Sequence, residues 1–142
     1  MALRFLLVFL LLLAPLAQAD GKAVPTQDGA FQKAVAGASP GDVLTLAPGR
    51  HRGPVILSQP ITVDGRGEAV IDGGGEGSVI TVTGSDITVR GLEIIGSGDD
   101  HQTIDSGVQL TKTARRAAIE GNRIVGNLYG VDIHGADDSV VR

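Results

Sequence analysis

Two residues near the end of the chain are of types that commonly serve as metal ligands in proteins. Asp132 and His134 are separated by one residue in a run predicted to be a strand. Because side chains alternate along a strand, this pair would share the outer face while Val131 and Ile133 point into the core. A neutral imidazole beside a carboxylate can hold Cu(II) or Zn(II) when a neighbouring segment supplies a third ligand. The same pair also fits an ordinary solvated strand face, and both interpretations stay open.

A third candidate metal ligand, His101, lies in the longest insertion between the apolar runs. This segment, residues 96–107, also contains Asp99, Asp100 and Asp105. We expect it to protrude as an acidic loop that attracts a cation or a partner protein, although an ordinary solvated loop would have the same composition. The candidate metal ligands are therefore His134, Asp132 and His101.

A second kind of chemistry is suggested by Asp64, Arg66 and Asp72, which lie in adjacent runs. Glycosidases need two carboxylates about 5–10 Å apart, and polysaccharide lyases use an aspartate-bound cation with an arginine base. These residues are the best set for either reaction, but Asp64 and Arg66 lie at or just after a glycine turn, where a structural role is equally natural.

Two further polar features have simpler interpretations. His51 lies in a predicted turn, where it is expected to be structural. The segment 111–116 carries Lys112, Arg115 and Arg116, and it is predicted to be either a solvated basic loop or a docking surface for a partner.

The composition excludes several functional classes. The chain has no Cys and no Trp, its one Met is the first residue, and its formal net charge is −4. Residues 20–142 contain two aromatic residues, Phe31 and Tyr129. A disulfide scaffold, a thiolate metal site and a Cys nucleophile are therefore excluded from this part. An acidic chain with few aromatic residues is also unlike a nucleic-acid-binding protein.

The first residues predict export from the cytoplasm. Arg4 precedes an apolar run over residues 5–13, and Ala17-Gln18-Ala19 has the small residues of a cleavage site. Residues 1–19 are thus predicted to be a secretory signal peptide, and the run is shorter than the ~20 residues of a membrane span. We expect residues 20–142 to form one domain in the periplasm, with no membrane span after cleavage.

A short helix is predicted over residues 28–38. Phe31, Ala34, Val35 and Ala38 recur at helical spacing and form one apolar stripe. Thr26 and Asp28 are the candidate N-caps, and Gly37 with Pro40 would end the helix.

After the helix, short apolar runs repeat along the chain. The segment ITVDG at 61–65 matches ITVRG at 87–91 and AAIEG at 117–121, and SVVR at 139–142 begins another copy. The spacings of 26, 30 and 22 residues fit a coil of three short strands with loops of variable length. Stacked coils separated by about 4.8 Å would pair each strand in parallel with its copy. The predicted fold is all-β: a right-handed, single-stranded parallel β-helix whose N-terminal end is capped by the helix.

The repeats also predict which residues face the core and which make the turns. One inward column runs through Val63, Val89, Ile119 and Val141, and a second through Ile80, Val108 and Val131. Gly65, Gly91 and Gly121 would form a ladder of turns with positive φ. Asn122 and Asn127 would lie at similar turns, where asparagine tolerates a left-handed conformation and can bond to neighbouring coils. Because the last repeat is incomplete, we expect the domain to be truncated at its C-terminal end, as the N-terminal coils of a longer domain.

The repeats resemble a known family. The stretch at 34–75, AVAGASPGDVLTLAPGRHRGPVILSQPITVDGRGEAVIDGGG, resembles the first coil of pectin-lyase-like β-helix proteins. VRGLEIIGSG at 89–98 and EGNRIVGNLYGVDIHGA at 120–136 are more specific and are similar to NosD. The resemblance covers essentially all of residues 20–142.

The resemblance implies a role without catalysis. NosD proteins are periplasmic, act with an ABC transporter, and assist assembly of the copper-sulfur centre of nitrous oxide reductase. The partners implied are therefore transporter components and the reductase or its maturation factors, with copper as the implied metal and no nucleic acid. Since Cu(I) prefers sulfur ligands and residues 20–142 contain none, we predict no tight Cu(I) site there. The alternative is a carbohydrate-active enzyme on the same fold, a polysaccharide lyase or glycoside hydrolase.

Overall fold

The computed structural model describes residues 21–142, so the predicted signal peptide lies outside the described residues. The elements in chain order are β1 (Lys22–Val24), α1 (Ala30–Ala36), β2 (Val43–Leu46), β3 (Gly49–Arg52), β4 (Val55–Leu57), β5 (Thr62–Asp72), β6 (Ile80–Val82), β7 (Thr88–Ile95), β8 (Ser106–Leu110), β9 (Ala118–Glu120), β10 (Arg123–Ile124), β11 (Tyr129–Ile133) and β12 (Val140–Val141).

These strands form coils with three legs. The first leg contains β1, β2, the start of β5, the start of β7, β9 and β12, paired in that order. The second leg contains β3, the end of β5, the end of β7 and β10. The third leg is a separate sheet in the order β11-β8-β6-β4. Every strand pair is parallel and joins one coil to the next, which confirms the predicted parallel β-helix.

The inward columns are confirmed by the strand register. Val63 lies opposite Val89, Val89 opposite Ile119, and Ile119 opposite Val141. The second column joins Ile80, Val108 and Val131 in the same way. Exposure rises along the first column from 0% at Val89 to 43% at Val141, because no further coil of the described chain covers the last one.

The helix is shorter than predicted and begins differently. It spans Ala30–Ala36 and starts at Gly29, which has a left-handed φ of 77° and no side-chain cap hydrogen bond. The predicted N-caps Thr26 and Asp28 are therefore wrong, because a glycine turn brings the chain into the helix. The end at Gly37 is confirmed. Phe31 is the buried member of the apolar stripe, with 1% exposure, and it fixes the helix against the end of the coil stack.

The glycine ladder is confirmed at two of its three positions. Gly91 and Gly121 have φ values of 63° and 58°, but Gly65 does not have a positive φ and lies inside β5. A Cβ at Gly65 would overlap the side chain of Leu92 and the carbonyl of Gly91. Close approach of the next coil therefore requires glycine there, while Arg66, at φ 52°, begins the left-handed turn.

Two asparagines tie the coils together through their side chains. Asn122 accepts a hydrogen bond from the Leu92 N–H at 3.0 Å and donates one to the Val89 carbonyl at 2.9 Å. Asn127 makes the same pair of bonds to Ser97 and Ile94. The predicted bonds to neighbouring coils are confirmed, but the predicted left-handed backbone is wrong, since neither residue has a positive φ.

Candidate functional site

Ion pairs between coils lie on the outer surface of the first two legs and of the turns that lead into the first leg. Most of these pairs join residues one repeat apart: Asp64–Arg90, Asp86–Arg116, Glu93–Arg123, Arg115–Asp137, Glu120–Arg142 and Arg50–Asp72. The predicted basic loop at 111–116 is thereby largely neutralised, because two of its three cations are paired with aspartates. Of these three cations, Lys112 alone makes no ion pair with the described residues.

The pair in which one arginine binds both oxygens of a carboxylate should make stability depend on acid pH. Arg116 donates to both carboxylate oxygens of Asp86 at 2.7 and 2.9 Å, and these hydrogen bonds lower the pKa of Asp86 below its ordinary value. A carboxyl whose folded pKa is depressed stabilises the fold above its unfolded pKa of about 3.9, and that contribution disappears as pH falls through the folded value.

We therefore expect the melting temperature of the protein to fall more steeply between pH 5 and pH 3 than that of Asp86→Asn. Asparagine also tolerates the left-handed backbone of Asp86, φ 57°, so this variant should remain folded. Asp99→Asn, in an exposed loop, is the control and should keep the steep dependence. Thermal unfolding followed by circular dichroism at several pH values measures the difference, and equal slopes for all three proteins would contradict it.

The set proposed for carbohydrate chemistry is engaged in structural contacts. Asp64 accepts the backbone N–H of Arg66 at 2.8 Å and pairs with Arg90 at 3.0 Å. Asp72 pairs with Arg50 and accepts the N–H of Gly74 at 2.9 Å. Each carboxylate is thus held by a different arginine and a different turn.

His51 has a structural role, as expected, but not in a turn. It lies in β3 with 1% exposure, and its Nε2 is 2.8 Å from the carbonyl oxygen of Ala47. Its ring packs edge-on against Phe31 with the centroids 6.3 Å apart. The histidine therefore joins the capping helix to the first coil.

Asp132 and His134 share the outer face of the third leg, as the alternation predicted. The His134 Nδ1 atom lies 4.0 Å from the Asp132 Oδ2 atom. Gln109, one coil earlier, donates to the same oxygen at 3.2 Å. The carboxylate is 16% exposed and the imidazole 70% exposed, so His134 is open to solvent while Asp132 is held in place.

The loop that carries His101 folds back on the coils and is fastened at several points. His101 Nδ1 lies 2.9 Å from the Tyr129 hydroxyl. Asp105 is 6% exposed and accepts hydrogen bonds from the Thr103 hydroxyl at 2.7 Å and the Asp100 N–H at 3.1 Å. The expectation that Asp105 adds to an exposed acidic loop is therefore wrong, since both oxygens of its buried carboxylate accept hydrogen bonds within the loop.

The predicted metal ligands are not gathered into one cluster. Across residues 21–142, no three His, Cys, Asp or Glu side chains are close enough to hold a metal ion. Asp132 and His134 are adjacent, but His101 is bonded to Tyr129 instead. Residues 21–142 also contain no sulfur atom. The side chains of Asp132, His134 and His101 therefore do not fit a copper centre formed by these residues alone.

The loop and the third leg border an open groove that sequence reasoning did not find. The groove is lined by Gln102, Thr103, Ile104, Gln109, Thr111, Lys112 and His134. Gln109 donates to the Thr103 carbonyl at 3.2 Å, which joins its floor to the loop. Gln109 and Thr111 could have been found from the sequence, because they occupy outward positions of a strand that recurs at the repeat spacing. The position of the loop could not, because the loop lies outside the repeat. No helix in residues 21–142 has the length and apolar character needed to cross a membrane.

Comparisons with known proteins agree with the repeat pattern. No protein-family model matches the chain. It is 34% identical over 87 residues to a probable ABC transporter binding protein NosD of Pseudomonas aeruginosa, which covers 61% of the chain and 20% of that protein. A protein of the same name from Stutzerimonas stutzeri is 32% identical over 93 residues, covering 66% of the chain and 21% of that protein. The chain therefore spans about a fifth of the length of these curated relatives.

A solved structure supports the fold independently. A pectin methylesterase mutant, crystallised with a hexasaccharide, superimposes with a TM-score of 0.58 at 18% identity, covering 84% of the chain and 48% of that structure. At this identity the likeness concerns the pectin-lyase-like β-helix alone. The two sequence matches together with this fold confirm the resemblance to NosD.

Proposed function

From the premise that the chain is NosD-like, we propose that it is a periplasmic accessory protein of an ABC transporter that assists copper-centre assembly in nitrous oxide reductase. The observation that carries the proposal is the identity of 34% over 87 residues with a protein named for transporter binding. The predicted signal peptide at residues 1–19 supports export to the compartment where such a partner would be met.

The surface chemistry supports a binding role over catalysis. The carboxylates considered for carbohydrate cleavage, Asp64 and Asp72, are each held by an arginine. Lys112, which follows the third leg, is exposed and makes no ion pair within the described residues. A rigid stack with such a group on its surface is suited to hold a partner in a fixed orientation.

The proposed function predicts a specific loss in cells. Deleting the gene in the source organism should cause nitrous oxide to accumulate while the reductase polypeptide is still exported, because the polypeptide would lack its assembled metal centre. Gas chromatography of nitrous oxide and immunoblotting of the exported reductase measure the two parts of this prediction. A plasmid copy of the intact gene should restore consumption, which controls for effects on neighbouring genes.

Unchanged nitrous oxide consumption in the deletion strain would contradict the proposal. The acidic-polysaccharide alternative would then be tested with Asp64→Asn and Asp72→Asn in assays of polymer cleavage. Loss of the reductase polypeptide itself would also contradict the proposed role in metal-centre assembly.

A further inference from the structure

We propose that the groove between the His101 loop and the third leg binds an acidic peptide segment of a partner protein. The groove is the set of residues Gln102, Thr103, Ile104, Gln109, Thr111, Lys112 and His134. This inference deepens the proposed partner-binding function by naming the chemistry of the partner, and it rests on that function for the partner's biological identity.

The residues that line the groove include one lysine and no carboxylate. The whole sequence has a net charge of −4, yet no Asp or Glu is among the residues that line the groove. Lys112 is exposed there and, unlike Arg115 and Arg116 in the same loop, makes no ion pair within the described residues. The nearby carboxylate of Asp132 is 16% exposed and accepts from Gln109. Lys112 is therefore available to a carboxylate supplied by another molecule.

The hydrogen-bonding groups of the groove suit an extended peptide. The carboxamide of Gln109 is fixed by donating to the Thr103 carbonyl and to Asp132. Gln102 lies on the loop side and His134, with 70% of its side chain exposed, on the opposite side. The Gln109 oxygen is left to accept from a peptide N–H, and the Gln102 carboxamide can both donate and accept, while Lys112 favours an acidic side chain.

The loop is held in a strained conformation above this groove. Ile104 is a β-branched residue with φ 56°, a conformation that costs of the order of 1–3 kcal/mol and persists only where its surroundings impose it. Those surroundings are the hydrogen bonds of the buried Asp105 to Thr103 and Asp100. The result places the apolar side chain of Ile104 in the wall of the groove, where it can contact an aliphatic part of the ligand.

An acidic peptide fits these observations better than an acidic polysaccharide. Sugar rings are commonly held by stacking on aromatic side chains, and no aromatic residue lines the groove other than the His134 imidazole. The one tyrosine of the chain, Tyr129, packs edge-on against His101 with the ring centroids 5.9 Å apart. Its hydroxyl is also engaged by that histidine.

The test is fluorescence anisotropy with the full chain and a fluorescein-labelled hexaglutamate peptide, compared with the matching hexaglutamine peptide. We expect hexaglutamate to bind and hexaglutamine to bind much more weakly. Lys112→Gln should weaken hexaglutamate binding by about fivefold or more, because a charge-assisted hydrogen bond is lost. Added salt should weaken it further, since the contact is exposed.

The control is Lys33→Gln, which removes the same charge from α1, far along the chain from the groove. It should change affinity by less than about twofold, and both variants should melt like the parent chain because both lysines are exposed. Equal binding of the two peptides, or equal effects of the two substitutions, would overturn the inference. So would tighter binding of oligogalacturonate, at the same concentration of negative charge. Because the peptides are synthetic, these results are independent of the nitrous oxide phenotype that tests the proposed function.

Discussion

Val89→Asp is expected to abolish cooperative folding of the domain. Val89 has 0% exposure and lies in the middle of the first inward column, between Val63 and Ile119. No cation lies in that column to pair with an inserted carboxylate. An unpaired charge at such a site costs about 4 kcal/mol or more, against a total stability of about 5–15 kcal/mol for a small domain. Circular dichroism and thermal unfolding of the purified variant measure the loss.

The same column provides a matched control for this substitution. Val141 occupies the equivalent position in the last coil and is 43% exposed. An aspartate there can keep its hydration, so the melting temperature of Val141→Asp should lie within a few degrees of that of the parent protein. Similar melting temperatures for Val89→Asp and the parent would refute the assignment of the column to the core.

Gly84→Ala is expected to destabilise the stack by about 3 kcal/mol, because the added methyl group would meet the backbone of the preceding coil. A Cβ at Gly84 would overlap the carbonyl group of Ser58, in the preceding coil. Backbone atoms cannot rotate away as a flexible side chain would, so the two coils must separate locally or the hydrogen bonds there must lengthen. Urea denaturation should show a lower midpoint with the slope little changed.

Gly130→Ala tests whether the effect arises from this contact. Gly130 has no atom within 4 Å of an added Cβ, and it lies outside the left-handed region. Alanine should therefore fit there with little change, and replacing glycine can even stabilise slightly by reducing the freedom of the unfolded chain. Comparable destabilisation by the two substitutions would contradict the proposed clash.

The coil architecture could be predicted because repetition makes neighbouring strands alike. Val63, Val89 and Ile119 recur in matching segments, and each coil stacks its copy directly above the last. The same logic would have found the ion pairs, since Asp64 and Arg90 differ by one repeat. It required only a search for opposite charges at the repeat spacing.

The groove could not be predicted in this way, because its wall is a loop outside the repeat. The contacts of His101 with Tyr129 and of Gln109 with the Thr103 carbonyl join segments that no period relates. The start of the helix was missed for a different reason. The sequence rules favour Asp28 as a side-chain cap, whereas the chain enters the helix through the left-handed turn at Gly29.

The ion pairs between coils have a consequence for how such sequences diverge. Reversing the charge of Arg90 alone would place two carboxylates, those of positions 64 and 90, opposite each other on adjacent strands, an arrangement that destabilises parallel neighbours. A matching reversal at Asp64 would restore the attraction. Among homologous chains, positions 64 and 90 are therefore expected to change charge together, whereas the turns between the strands that separate them can gain or lose residues independently.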